Sequence, residues 1–141
     1  MPFEWTEDLE TGVALIDGQH KSIFDALNTL LNAMDEGKGK RVVEEALGFL
    51  ENYVNTHFHD EEDLMARHNY RGYLAHKAEH AQFRKDFDQL KKEFTHEGAT
   101  LYMVVQTEQK MVDWLMNHIK LEDKKMAETL KNSDKDFKNG E

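Results

Sequence analysis

The 141-residue sequence has no cysteine, a single proline and no long apolar run. Without cysteine there can be no disulfide, thiolate zinc site, iron–sulfur cluster or covalently attached haem. One proline, at position 2, and few alternating Val, Ile and Thr residues leave little material for sheet and nothing to interrupt helices. The longest uninterrupted apolar stretch, Leu101 to Val105, is too short to span a bilayer, so membrane insertion is not expected. Basic excess is also missing. With 28 acidic against 18 basic side chains the formal net charge is −10, which argues against nucleic acid or an anionic membrane as partner. The opening Met1-Pro2-Phe3-Glu4-Trp5 has neither the basic nor the apolar region of a signal peptide, so a cytoplasmic location is expected.

What the sequence does contain is helical periodicity and eight histidines. From Asp17, apolar residues fall at Ile23, Phe24, Leu27, Leu30, Leu31 and Met34, up to a turn at Asp35-Glu36-Gly37-Lys38-Gly39. A second stripe reads Val43, Leu47, Leu50, Val54, His57, Glu61, Leu64, His68 and closes at Asn69 to Gly72. The third runs through Tyr73, His76, His80, Phe83, Phe87, Leu90 and Phe94, ending near Gly98. The fourth spans about Thr100 to Leu130 through Leu101, Val105, Met111, Leu115, Ile119 and Met126. Four amphipathic segments with short connections predict an all-α, antiparallel up-down-up-down four-helix bundle. Residues 1–16 are expected to form an N-terminal arm on a single 1–130 domain, and polar residues 131–141 a disordered tail.

The stripes carry an anomaly. His57 and Glu61, and His76 and His80, occupy positions that should hold Leu or Val. His20 extends the first stripe by a turn, and His118 lies in the fourth. Each unpaired polar group in a bundle core would cost on the order of a few kcal/mol. A lone histidine there is usually satisfied by a local hydrogen bond. Five of them from four helices, with carboxylates, are satisfied together by a shared metal. Residues i and i+4 stand on one helix face, so His57/Glu61 and His76/His80 can each present two ligands inward. In the fourth segment the same geometry selects Glu122, at i+4 from His118, over Asp123 at i+5.

The pattern resembles the hemerythrin family, specifically its single-domain bacterial members. The matching stretches are Trp5, Ile16-Asp17-Gly18-Gln19-His20-Lys21, His57-Phe58-His59-Asp60-Glu61-Glu62, His76-Lys77-Ala78-Glu79-His80 and Trp114 to Asp123. The resemblance covers about residues 3–130. It implies two iron ions (Fe2+/Fe3+) with an oxo or hydroxo bridge. His76, His80 and His118 would hold one and His20 and His57 the other, with Glu61 and Asp123 bridging. It also implies an open coordination position at the two-histidine iron, where dioxygen is the ligand. Five imidazoles and two carboxylates suit Fe(II), although imidazole accepts copper, nickel and zinc as readily. Ile23, Phe58, Trp114, Leu115 and Ile119, which flank the ligands, resemble the family's apolar dioxygen pocket and would equally serve as bundle core.

Other motifs explain less. His76-Lys77-Ala78-Glu79-His80 also fits an inverted zinc-protease signature with Glu79 as base, but that leaves His20, His57 and His118 without a role. Glu93 and His96 supply one pair of a ferritin-like site, which needs two such pairs plus two further Glu. His59 should face solvent, and His68, at the end of its helix, should be a partly buried polar residue or a polar gate. Asp17 and Gln19 are candidates to orient His20 through its second nitrogen. The expected function is reversible dioxygen carriage or storage rather than enzymatic catalysis. The alternatives are an oxygen or redox sensor using the same centre, or a di-iron enzyme handling peroxide or nitric oxide. A monomer or weak homo-oligomer supplying an oxygen-consuming client protein is expected.

Overall fold

The structure, a computed structural model, describes residues 5–133. Four long helices account for most of it: α1, Ala14–Asp35; α2, Lys40–Arg67; α3, Tyr73–Glu97; and α4 over residues 101–133. No strand occurs among the described residues, and no helix there is long and apolar enough to cross a membrane. α1 packs on α2 and α4, and α3 packs on the same two helices, so the four close into a ring. The connections are short because each helix ends on a residue that turns the chain sharply. Gly37 and Gly98 take positive φ after α1 and α3, and Asn69 does so after α2.

Helix α4 is not uniform. α-helical Leu101–Gln106 passes into π-helical Thr107–Val112, returns to α at Asp113–His118, widens again at Ile119–Asp123 and resumes through Lys124–Ser133. Its start is capped by Thr100, whose hydroxyl accepts from the Met103 N–H.

The apolar stripes bury as expected, but in two bodies. The larger runs through Ile23, Leu27, Leu30, Leu50, Phe58, Phe83, Phe87, Phe94, Met111, Leu115 and Ile119. A smaller one, Val13, Ile16, Leu64, Met65, Met126, Ala127 and Leu130, occupies the end of the bundle where α1 and α3 begin and α2 and α4 end. Between the two bodies lie the polar residues that broke the pattern. At roughly 25 cal/mol per Å² of buried apolar area, burial on both sides is what holds this polar layer out of water.

The arm is shorter than expected, since residues 14–16 form the first turn of α1. Residues 5–13 cross the α1/α4 seam. Leu9 is fully buried, and Trp5 packs edge-on against Phe24 at 5.5 Å. Asp17 accepts from the N–H and hydroxyl of Thr11, both at 2.8 Å, and from the Gly12 N–H at 3.2 Å. Gly12 has φ +85°, a backbone conformation that favours glycine, and the Lys131 ammonium lies against it. Lys131 itself is helical and donates to the Thr11 carbonyl, so α4 continues through residue 133. The remainder of the expected tail, 134–141, lies outside the described residues.

Candidate metal centre

His20 lies near the start of α1, His57 and Glu61 near the end of α2, His76 and His80 at the start of α3, and His118 and Asp123 in the second half of α4. Only an antiparallel ring brings these four helix ends to one level. All seven side chains are 3% exposed or less.

The carboxylate oxygens divide the imidazoles into two sets. Glu61 Oε2 lies 3.0 Å from His57 Nε2 and 3.7 Å from His20 Nε2, whereas Oε1 lies 3.2 Å from His76 Nε2 and 3.1 Å from His80 Nε2. Asp123 repeats the division. Its Oδ2 is 2.9 Å from His20 Nε2, and its Oδ1 is 2.9 Å from His76 Nε2 and 3.1 Å from His118 Nε2. Two overlapping groups able to hold a cation result: Glu61, His76, His80, His118 and Asp123 on one side, and His20, His57, Glu61 and Asp123 on the other.

The fit to metal rests on atoms left unsatisfied. Nε2 of His20, His57 and His80, Oε2 of Glu61 and both oxygens of Asp123 are buried without a hydrogen-bond partner. Within each set, one nitrogen or oxygen atom from every residue lies within 4.8 Å of the others. A buried group of nitrogen and carboxylate oxygen atoms this close is satisfied by shared protons or by a metal cation, and imidazole nitrogen with carboxylate oxygen is a borderline donor set suited to iron.

A family model described as the hemerythrin HHE cation-binding domain matches residues 11–130. The chain belongs to the hemerythrin family. It is 38% identical over 122 residues to a bacteriohemerythrin of Methylococcus capsulatus, covering 85% of this chain and 90% of that protein. A bacteriohemerythrin of Pseudomonas paraeruginosa is 31% identical over 129 residues, which span 92% of this chain and 82% of that one. The crystal structure of a hemerythrin mutant superposes with a TM-score of 0.82 at 33% identity, covering 92% of this chain and 98% of the other. Family and cluster together support a hemerythrin-type iron protein.

The α4 helix decides between Glu122 and Asp123 as the acid that faces the hemerythrin cluster. Wheel geometry at 3.6 residues per turn favoured Glu122, but Ile119–Asp123 is π-helical, with hydrogen bonds running i to i+5. The widened turn sets Asp123 over His118 and fully buries it, while Glu122 stays half-buried.

The outer imidazole nitrogens correct two further expectations. Gln19 orients His57 rather than His20, with its Oε1 2.7 Å from His57 Nδ1. Asp17 serves the arm instead. Glu62 and Glu79, not foreseen in this role, meet His80 Nδ1 at 2.9 Å and His118 Nδ1 at 2.7 Å. Glu79 therefore backs a ligand from outside and is not placed as a protease base. Their signal in the sequence was only that each neighbours a candidate ligand.

Of the expected pocket residues, Ile23, Phe58, Leu115 and Ile119 are buried in the larger apolar body. Phe58 stacks on the His80 ring at 3.8 Å, and half-buried Trp114 stacks on His118 at 4.4 Å. His59 and His96 are exposed, and His68 is half-buried at the end of α2. Glu93 and His96 lie in the last turns of α3, at the opposite end of that helix from His76 and His80.

In the metal-free chain the carboxylates control the imidazoles. Burial alone would lower the pKa of His20 and His76, but Asp123 and Glu61 outweigh it and push them up to about 9 and about 10. His118 is also raised, against burial, by Asp123. At His80 burial prevails and the value falls. Burial opposes ionisation of Glu61 and Asp123, yet the facing imidazoles hold both below the usual carboxylate range. His20 and His76 thus exceed the 6.5 of a free imidazole, so their contribution to metal-free stability is complete below pH 6.5 and is lost as pH rises to about 10. The carboxylate contribution is lost instead as pH falls below the ordinary carboxylate range. Denaturant unfolding of the metal-free chain should therefore show stability declining from pH 6.5 to 10, while metal affinity rises over the same window as protons cease to compete. A flat stability profile there would contradict the assignment. Replacing the acids separately tests the π turn: D123N should lose metal, and E122Q should retain as much metal as the unmodified chain by metal analysis.

Proposed function

We propose that this chain binds dioxygen reversibly at a non-haem di-iron centre, as a carrier or store, and catalyses no net reaction. The observation that supports this best is the division of five imidazoles into sets of three and two by carboxylates that both sets share. His76, His80 and His118 would hold one iron, and His20 and His57 the other, with Glu61 and Asp123 common to both. When bound, such a pair supplies electrons that dioxygen takes up and returns.

The chain's own contribution is to hold the donors and keep the surroundings dry. Phe58 and Trp114 lie flat against His80 and His118 and limit ring rotation. Ile23, Leu115 and Ile119 add aliphatic surface with no proton to donate. The smaller apolar body closes the other side, so water would have to cross hydrocarbon to reach the cluster. A dry, proton-poor wall favours return of the ligand over its loss as a protonated species. Dioxygen is the ligand in this reading.

Metal analysis should give two irons per chain. Anaerobic reduction followed by air should produce a visible absorption band that fades under argon and returns with air through repeated cycles. Zinc in place of iron, an irreversible band, or steady oxygen consumption in the presence of a reductant would overturn the proposal. Changing the wall should alter lifetime and not loading. L115N and I119N should keep both irons but autoxidise about tenfold faster or more, equivalent to about 1.4 kcal/mol of barrier. Unchanged autoxidation in both variants would contradict the wall's role.

A further inference from the structure

The five imidazoles differ in what their outer nitrogens touch. His80 and His118 each face a carboxylate, Glu62 Oε2 at 2.9 Å and Glu79 Oε1 at 2.7 Å. His57 faces an amide. Gln19 Oε1 lies 2.7 Å from His57 Nδ1, and Gln19 Nε2 donates to Asp60 Oδ2 at 2.7 Å. An amide whose N–H is engaged by Asp60 offers His57 only its oxygen. His57 must then donate from Nδ1 and keep its lone pair at Nε2, inside the cluster. The outer nitrogens of His20 and His76 have no hydrogen-bond partner.

We propose that these partners make the two halves of the centre unequal in donor strength, beyond their difference in imidazole count. An imidazole N–H donated to a carboxylate gains negative character and becomes a stronger donor at its other nitrogen, whereas an amide oxygen withdraws the proton far less. Glu62 and Glu79 strengthen the half containing His76, His80 and His118. Gln19 leaves the half containing His20 and His57 weaker, so metal fills the three-histidine half first. Gln19, Glu62 and Glu79 are positioning residues that act through the imidazoles they touch. Glu62 is held in turn, since the Arg84 guanidinium lies 3.7 Å from its Oε2 and also over the Phe58 ring that stacks on His80. His80 is thereby fixed at its edge by Glu62 and on its face by Phe58.

This inference rests on the paired-metal reading and is independent of dioxygen. The test is an anaerobic titration of the metal-free chain with Co2+, followed by visible absorption and calorimetry, with two binding steps resolved. E62Q and E79Q each keep an acceptor for the imidazole N–H while removing its charge. Each should weaken the first step about 10–100-fold and leave the second unchanged. The double variant Q19E/D60N exchanges amide and acid within one hydrogen-bonded pair. It preserves net charge and both hydrogen bonds, with the new carboxylate accepting from His57 and from the new amide. It should tighten the second step by about tenfold or more and narrow the gap between steps.

A purely structural role would make E62Q and E79Q weaken both steps alike and destabilise the metal-free chain. That result, or an unchanged gap in Q19E/D60N, would overturn the inference while two bound equivalents leave the paired-metal reading standing. Uptake of a single equivalent by the unmodified chain would overturn both.

Discussion

Two carboxylates with no solvent exposure, Glu61 and Asp123, stand at the centre of this bundle. Ionised acids so deeply buried are tolerated only when positive charge or well-aimed donors surround them. The rest of the molecule answers that constraint. Five imidazoles from four helices turn their inner nitrogens toward the two acids. Hydrocarbon lies on both sides of the layer, which keeps the electrostatics strong by keeping water away. With metal in place of the protons that the imidazoles and acids otherwise share, the inward-facing nitrogens and oxygens would become ligands. Metal binding and completion of the core are then one process.

Much of this was visible in the amino-acid order, because the bundle depends on a repeating pattern and the site interrupts it. His57, Glu61, His76 and His80 stood out since each replaced an apolar residue in an otherwise regular stripe. The turns were visible too, since Gly37 and Gly98 take positive φ after their helices. Asp123 was hidden from wheel geometry because that geometry assumes a uniform helix. A π turn has no sequence signature of its own, and here it shifts the register by just enough to replace Glu122 with its neighbour. Only the family resemblance pointed to the acid that the structure turns inward.

The outer partners were hidden for another reason. Gln19, Glu62 and Glu79 read as polar residues next to candidate ligands, and all three are half-buried. Their role is defined across a helix boundary, which local spacing does not encode. Gln19 on α1 serves His57 on α2, Glu62 on α2 serves His80 on α3, and Glu79 on α3 serves His118 on α4. Each contact therefore fixes a ring and joins consecutive helices. For the same reason Asp17, near His20 in sequence, could not be separated from a ligand partner until the arm was placed.

Three of the four seams in the ring are closed by such a pair, and the α4/α1 seam is not. The outer nitrogen of His20 has no hydrogen-bond partner. The arm substitutes there. Lys120 pairs with the Asp8 side chain at 3.2 Å, Lys124 donates to the Asp8 carbonyl at 2.9 Å, and Lys131 donates to the Thr11 carbonyl at 2.9 Å. Asp17 draws the other end of the arm onto α1 through Thr11 and Gly12. The seam is thus closed by a strip of chain held from both helices, with Trp5 set 6.1 Å from the His20 ring. Inside the bundle His20 Nε2 reaches Asp123 on α4 at 2.9 Å, the direct link between the first and last helices at the level of the centre. Asp123 therefore has two tasks that no other residue of the cluster combines: it is shared by both sets of imidazoles, and it joins α4 to α1 where no outer pair does. A local widening of α4 that brings this one acid inward is consistent with both demands acting on a single position.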